Sequence, residues 1–304
     1  MFDEIQKKLI AEIAGLHKIP QGAYNFRANS KLAGRQSTEN IIITSKENGI
    51  DIHIKPNTKN ESVHIPVVLS ESGIVETVCN DFYIGENSEV LIVAGCGIDN
   101  CGSSNSEHDG VHRFFVGENA RVRYVEKHYG SGNGAGKRIL NPVTEAFLST
   151  NSFLEMEMAQ IKGVDSTNRK TTAELAAGAK LLVRERLMTH GAQQAYSLYK
   201  ISLNGENSAA DVVSRGVAKN TSFQKLDLCI IGNAACSGHT ECDSIIMDEG
   251  RILAVPSLEA NNIDAMLIHE AAIGKIAGEQ IIKLMTLGLT ETEAEEQIIA
   301  GFLK

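Results

Sequence analysis

Short apolar runs separated by Gly and Asn turns fill the chain between about Asn40 and Leu267. The clearest runs are 40–44, 50–54, 63–69, 90–93, 121–125 and 180–183. Apolar runs of this length, bounded by turn residues, are typical of β-strands rather than helices. The pattern therefore predicts a mainly β protein with many short strands.

A loose repeat organises these strands. Gly-Glu-Asn followed by a small residue begins at Gly85, Gly117 and Gly205, and the first two copies lead directly into a strand. Weaker copies begin at Gly178 and Gly232. Turn-and-strand units that bury little alone but much when stacked are typical of a β-solenoid. Because the spacing between copies is irregular, a sandwich or a barrel is also compatible with the pattern.

Helical periodicity is confined to the two ends. At the N-terminus, Ile5, Leu9, Ile10 and Ile13 recur at helical spacing among charged residues. At the C-terminus we predict one helix from Glu279 that stops at Gly288, and a second that begins with a capping box. That box pairs Thr290 with Glu293, and the apolar positions Ala294, Ile298, Ile299 and Phe302 follow it. The predicted division is an N-terminal helix over 1–20, a β core over 21–265 and a helical segment over 266–304, with its junction at His269-Glu270.

Composition excludes several classes of function. The chain has 304 residues, 42% of them apolar, and a net charge of -9, which favours a large core and disfavours a nucleic-acid surface. No apolar run is long enough to span a membrane, and the N-terminus does not have a signal-peptide pattern. We therefore expect a cytoplasmic protein that does not bind membranes. Its six cysteines are expected to be thiols rather than disulfides.

A glycine-rich segment over 130–138 resembles a phosphate-binding loop. In the G-x-x-x-x-G-K-[ST] pattern, the first glycine would fall at Ser131 and the closing hydroxyl at Arg138, so both positions fail. Pro142 also disfavours the long helix that such a loop requires. We expect this chain to bind no nucleotide.

The first group of residues with metal-binding chemistry is Cys96, Cys101, His108 and His112, followed by Glu126 and His128. Thiols and imidazoles at this density suit a zinc or iron site. The alternative is that the histidines only form hydrogen bonds within the fold. If a metal binds, one possible function is a cupin-like, metal-dependent β-barrel enzyme using His108, His112, Glu126 and His128.

The second group contains Cys229, Cys236, His239 and Cys242, followed by His269 and Glu270. In a solenoid, residues one or two coils apart lie side by side on one face. Cys242 could then meet His269 and Glu270 without being near them in sequence. For Cys229, within an apolar run, we expect a buried thiol.

Four motifs near the C-terminus resemble one known family. They are Ser-Arg-Gly-Val-Ala over 214–218, Glu-Cys-Asp-Ser-Ile over 241–245, Ala-Val-Pro-Ser-Leu-Glu over 254–259 and His-Glu-Ala-Ala-Ile-Gly-Lys-Ile over 269–276. Together they look like the core of the SufB/SufD family of iron-sulfur cluster assembly proteins. The resemblance implies a right-handed parallel β-helix with helical ends and a partner ABC-type ATPase, SufC. It also implies that a cysteine and a His-Glu pair build the nascent cluster, here Cys242, His269 and Glu270.

These resemblances lead to definite expectations. The chain would be a scaffold rather than an enzyme, holding a transient iron-sulfur cluster obtained from a sulfur donor and passed to recipient apoproteins. Having both the cysteine and the His-Glu pair favours a SufB-like role, and a SufD-like role stays open. Since an uncovered sheet edge invites pairing, we expect a homodimer joined near the C-terminal end of the core. The expected ATPase-docking residues are Ile281, Leu284, Met285, Ile298, Ile299 and Phe302.

Overall fold

The repeated turns and strands stack into a β-solenoid of about eight turns. A computed structural model describes residues 2–304. The strands are β1 (Ala23–Ala28), β2 (Lys31–Gln36), β3 (Ile41–Lys46), β4 (Gly49–Ile54), β5 (Lys59–Leu69), β6 (Val75–Ile84), β7 (Glu89–Asp99), β8 (Ser106–Val116), β9 (Arg121–Ser131), β10 (Arg138–Leu140), β11 (Val143–Leu148), β12 (Phe153–Lys162), β13 (Ser166–Leu175), β14 (Lys180–Thr189), β15 (Gln194–Leu203), β16 (Ala209–Ala218), β17 (Phe223–Gly232), β18 (Ser237–Ile246), β19 (Arg251–Ala260) and β20 (Met266–Gly274). The helices are α1 (Glu4–Ala14), α2 (Gly278–Met285) and α3 (Glu291–Phe302).

Successive strands alternate between two sheets, so each coil contributes to both. One sheet runs β2-β1-β5-β7-β9-β12-β14-β16-β18-β20, and the other β19-β17-β15-β13-β10-β8-β6-β4-β3, with β11 beside β8 and β13. Coil-to-coil pairs such as β7 with β9 and β16 with β18 are parallel, whereas β1 pairs with β2, and β3 with β4, in antiparallel hairpins at the N-terminal end. The solenoid prediction is confirmed, and the sandwich and barrel alternatives are wrong.

The core lies between the two sheets. Along β14, for example, Leu181 and Val183 are buried on the inner face, and they continue a cluster that runs through the coils from Ala23 to Cys242. Fully burying each aliphatic side chain contributes roughly 1.5–3 kcal/mol. One coil buries few such groups, so stability comes from stacking.

The Gly-Glu-Asn repeats are turns, as the sequence predicts. The asparagines at 87, 119 and 207 all adopt the left-handed conformation, with φ of 55°, 56° and 58°. Asparagine tolerates this region better than most residues. At Gly117 a Cβ would lie 2.7 Å from the carbonyl oxygen of Ile84 on the preceding coil, so the stacking of turns requires glycine there.

Helices form at both ends of the chain, as the sequence predicts. Asp3 and Gln6 form a capping box on α1, and Leu9 and Ile13 pack over β7, where a Cβ on Gly97 would lie 3.2 Å from Leu9. The Thr290–Glu293 capping box on α3 is confirmed. Gly288 has φ of +98°, as expected for a residue that ends a helix.

One predicted boundary is wrong. The sequence predicts a helical segment from residue 266 with a strand-to-helix junction at His269-Glu270, but β20 continues to Gly274 and α2 begins at Gly278. The backbone of β20 pairs with β18 along its whole length. His269 and Glu270 are therefore strand residues of the last coil.

Candidate functional site: a polar column between two buried thiols

A column of polar side chains runs through the apolar interior. His108, Glu126, His128, Arg169 and Glu185 are each less than 5% exposed. Burying a charge costs several kcal/mol unless it is paired. The pairings along the column therefore decide which of these groups carry charge.

At the N-terminal end of the column lies Cys96 on β7, 7% exposed. Its neighbour on the next coil is His128 of β9. His108 comes from β8 in the opposite sheet, and its Nδ1 lies 3.0 Å from Oε1 of Glu76. The other carboxylate oxygen of Glu76 accepts a hydrogen bond from Arg27 at 3.0 Å.

These contacts favour the thiolate form of Cys96. Burial alone would raise the pKa of the Cys96 thiol, but the neighbouring His108 and His128 outweigh burial and lower it to about 7. Burial would lower the pKa of His108, yet Cys96 and Glu76 raise it to about 10. Burial likewise opposes the charged form of Glu76, but His108 and Arg27 lower its pKa to about 2.

The middle of the column is a network of ions and hydrogen bonds. Arg169 Nη1 lies 2.6 Å from Glu126 Oε2, and Arg169 Nε lies 3.5 Å from Glu185 Oε1. Tyr124 donates a hydrogen bond of 3.0 Å to Glu126, so His112 Nδ1, 2.7 Å away, donates to the phenol oxygen. Burial lowers the pKa of His112 to about 4, which keeps this imidazole neutral.

At the C-terminal end of the column lies Cys242 on β18, 1% exposed. Its neighbour on the preceding coil is Ser214, which donates a hydrogen bond of 2.8 Å to Glu185. Burial raises the pKa of Cys242 to about 11; a hydrogen bond with Ser244 opposes this rise, and the charges of Glu185 and Asp243 add to it. This thiol is therefore protonated at neutral pH.

The structure separates the predicted cluster-assembly residues. Thr240 pairs in register with His269, Glu241 with Glu270 and Cys242 with Ala271. Thr240 Oγ1 and His269 Nδ1 are 2.6 Å apart, so His269 shares the inner face with Cys242, two register positions away, or about 7 Å along the strand. Glu270 points to the outer face.

The secondary metal-ligand candidates are also only partly brought together. Cys96, His108 and His128 meet, whereas His112 is bonded to Tyr124, and Cys101 is exposed in a loop with its thiol 3.4 Å from Asp99. Within residues 2–304, no group of three or more His, Cys, Asp or Glu side chains is arranged to hold a metal ion.

Sequence reasoning missed Arg27, Glu76, Arg169 and Glu185. For Arg169 and Glu185 the sequence did carry a signal, namely a charged residue in register with apolar ones. Arg169 alternates in step with Ala173 along β13, and Glu185 with Val183 along β14. For Arg27 and Glu76 there was none, since their pairing depends on how the N-terminal hairpin lies on the stack.

Fold and interior together define a β-solenoid protein with two buried cysteines whose thiol pKa values are shifted in opposite directions. A family model, "SUF system FeS cluster assembly, SufBD core domain", matches residues 77–302. The chain therefore belongs to the SufBD family of iron-sulfur cluster assembly proteins.

Curated relatives agree with this placement. The chain is 30% identical over 240 residues to an "Iron-sulfur cluster assembly SufBD family protein" of Methanothermobacter thermautotrophicus, covering 77% of this chain and 57% of that protein. It is 26% identical over 283 residues to a SufBD family protein of Methanocaldococcus jannaschii, covering 90% and 88% of the two chains. With the Archaeoglobus fulgidus relative the identity is 30% over 267 residues, covering 86% and 69%.

The three helices are short relative to a bilayer. Among residues 2–304, none combines the length and the apolar character that a membrane-spanning helix needs.

Proposed function

We propose that this chain is a cytoplasmic scaffold on which an iron-sulfur cluster is built, before the cluster passes to a recipient protein. The observation that carries the proposal is the position of Cys242. Its buried thiol lies on the inner face of the sheet, which also holds His269 on the last coil. Iron and sulfide are the substrates here. A thiolate supported by imidazole or carboxylate suits a cluster that must later be released.

The chemistry of Cys242 fits a site that is loaded in stages. A thiol must lose its proton to bind iron, and burial raises the pKa of Cys242 to about 11. Burial, followed by the charge of His239, lowers the pKa of His269, so its imidazole is neutral and able to bind a metal. Incoming iron would then displace the thiol proton.

Reconstitution with ferrous iron and sulfide under anaerobic conditions tests this proposal. We expect a visible charge-transfer spectrum in the native protein and its loss in Cys242→Ser, with lower yield in His269→Ala and Glu270→Gln. Cys229→Ser is the matched control. The prediction of a buried thiol there is wrong, because Cys229 is only half-buried, on the outer face of the opposite sheet. Full cluster yield in a folded Cys242→Ser variant would refute the proposal.

Partnership with a SufC-like ABC ATPase is part of the proposal, and α2 is its most suitable docking surface. No residue of α2 is buried, and Ile282, Met285 and Leu287 are 61%, 43% and 76% exposed. By contrast, Ile299 of α3 packs on Val217 and Met247 of the core. The docking set therefore shifts from α3 toward α2 and the turn after it. An apolar helix face of this kind suits a groove on a partner.

Co-purification with the cognate ATPase tests the docking surface. Ile282→Asp should abolish co-purification. Ile5→Asp makes the same apolar-to-charged change at an exposed residue of α1 and should preserve it. Unchanged binding by Ile282→Asp would count against α2.

A homodimer through the last coil completes the proposal. β19 and β20 are the terminal strands of their sheets, and Val255, Met266 and Ile268 on them are 42%, 67% and 52% exposed. A second chain there would cover the open edge and bring further side chains to His269 and Glu270.

Ile268→Asp should give monomers in sedimentation, whereas Ile161→Asp, on mid-stack β12, should not. A native chain that sediments as a monomer at micromolar concentration would exclude the dimer.

A further inference from the structure

An apolar stripe crosses the outer face of five neighbouring strands in the N-terminal half of the solenoid. It begins at Ile42 on β3 and continues in register through His53, Tyr83, Phe115 and Phe147 on β4, β6, β8 and β11. The four aromatic rings stack face to face, with centroids 4.6, 5.1 and 5.3 Å apart and planes within 10° of parallel. Ile42, Tyr83 and Phe147 are each 37% exposed, so the stripe presents the edges of its rings to solvent.

Stacking of the coils does not require aromatic side chains at this position. The same register row continues past Phe147 with Glu174 and Ser202 on the next two strands, and those strands pair in parallel all the same. The inner face of β6 and β8 already holds a stacked ring pair, Phe82 and Phe114, and both rings are fully buried. A contiguous exposed apolar patch is typical of a surface that a partner covers.

The stripe forms the floor of a groove, which we call the aromatic groove. Turn residues wall it on one side, among them Pro56, Gly85 and Gly117, and its volume is about 520 Å³. A smaller continuation of about 270 Å³ runs past Phe147. From Ile42 to Phe147 the stripe covers four strand spacings of about 4.8 Å each, or roughly 19 Å, which is the length of about three and a half turns of α-helix.

The rim of the aromatic groove is acidic. Four carboxylates on the outer faces of β11 and β13 and in the wall turns form no salt bridge with any cation among residues 2–304. They are Glu86, Glu118, Glu145 and Glu174. By contrast, Asp81 is neutralised by Lys46 and Arg113 at 2.6 and 2.8 Å. Of the described residues that line the groove, Lys55 alone carries a fixed positive charge.

We propose that the aromatic groove is a docking surface for a basic amphipathic helix of a partner protein. Apolar side chains on one face of that helix cover the ring edges, and Lys or Arg side chains along its borders meet the unpaired carboxylates. A second copy of this chain is a poorer occupant, because each copy carries a net charge of -9 and the acidic rim would repel it.

The aromatic groove leaves the surfaces proposed for the ATPase and the dimer free. It lies on β3 to β11, whereas β19 is four strands further along the same sheet, or roughly 19 Å away. The helix α2 follows the last coil, at that same distant end. A partner in the groove can therefore be bound at the same time as the ATPase, and the proposal does not rest on cluster assembly at Cys242.

Three fluorescein-labelled synthetic peptides of about 14 residues test the proposal on the full-length chain. The first has leucines on one helical face and lysines along both borders. The second replaces every lysine by glutamate, and the third keeps the composition of the first but spreads the leucines around the helix. In fluorescence anisotropy titrations we expect the first peptide to bind about tenfold more tightly than either of the others, and less tightly as ionic strength rises.

Variants of the groove locate that binding. Phe147→Ser should weaken binding of the first peptide by about tenfold, as the loss of an aromatic anchor does at an interface. Glu145→Lys combined with Glu174→Lys leaves the ring stack intact, and should weaken binding and reduce its dependence on salt. Tyr196→Ser is the matched control, because Tyr196 is 38% exposed on the outer face of β15 in the same sheet, outside the groove. Circular dichroism verifies folding, and the charge variant decides the matter if Phe147→Ser does not fold.

Several results would overturn the proposal. They are equal affinity for the three peptides, tighter binding of the acidic peptide, and affinity unchanged in the folded charge variant. A native chain that sediments as a larger species than Phe147→Ser would also overturn it, because the groove would then hold a second copy. Phe147→Ser should keep its cluster yield and its co-purification with the ATPase, so a failure here is distinguishable from a failure of the scaffold proposal.

Discussion

Cys96 and Cys242 have nearly the same backbone setting and opposite chemistry. Both lie on inward positions of one parallel sheet, and both are almost fully buried. The pKa of Cys96 is lowered to about 7 and that of Cys242 is raised to about 11. Burial acts in the same direction on each, so the difference comes from the neighbours: two imidazoles at Cys96, and carboxylates at Cys242. The interior of this solenoid therefore has regions of opposite electrostatic character.

Arg169 separates the two regions, and removing it should have the largest effect on the molecule. Arg169→Met removes the cation that Glu126 and Glu185 share, so that Glu126 keeps only His128, 3.5 Å away. We expect this to lower the free energy of unfolding by roughly 3–5 kcal/mol. Urea denaturation measures this loss. Arg184→Met, which removes an exposed pair 3.9 Å from Asp211, should cost less than about 1 kcal/mol. A loss of similar size in both variants would mean that the column does not depend on its central ion pair.

Acid should weaken the Cys96 end of the column through Glu76. Since His108 and Arg27 lower the pKa of Glu76 from 4.5 to about 2, its contribution to stability is present above about pH 4.5 and is lost as the pH falls toward 2. Urea midpoints measured across this window should fall less steeply in Glu76→Gln than in the native protein. Glu107→Gln is the control, because the pKa of Glu107 is raised and cannot produce a loss of that sign. Equal slopes in native and Glu76→Gln proteins would contradict the assignment.

The smallest effect is expected at Cys242. Glu185→Gln removes a carboxylate that raises the pKa of the Cys242 thiol, but burial is the larger cause, so we expect a modest decrease that leaves the pKa above its usual value. The pH dependence of thiol modification at Cys242 measures the shift. Ser202→Ala on the outer face of β15 should have no effect. An increase in the pKa would show that Glu185 acts mainly through other groups.

The sequence supports prediction of the fold better than prediction of the site. Short strands and Gly-Glu-Asn turns are local features, and both formed as predicted. Register depends on coil length, which varies: paired residues are 32 apart for Asn87 and Asn119, 27 for Arg138 and Asp165, and 29 for Thr240 and His269. Cys242 pairs with Ala271. His269 comes two residues before Ala271, so it lies on the same face as Cys242 but is displaced along the strand. Glu270, one residue later, falls on the opposite face.

Stacking also determines the order in which the two thiol environments can be made during synthesis. The residues that surround Cys96 lie between Arg27 and Val164, whereas Cys242 depends on Glu185, Ser214 and His269. Because a chain emerges from the ribosome N-terminus first and solenoid coils contact only their neighbours, the Cys96 environment can be complete while the segment containing Cys242 is still untranslated. The nascent protein then completes the environment that favours a thiolate before the environment that favours a protonated thiol.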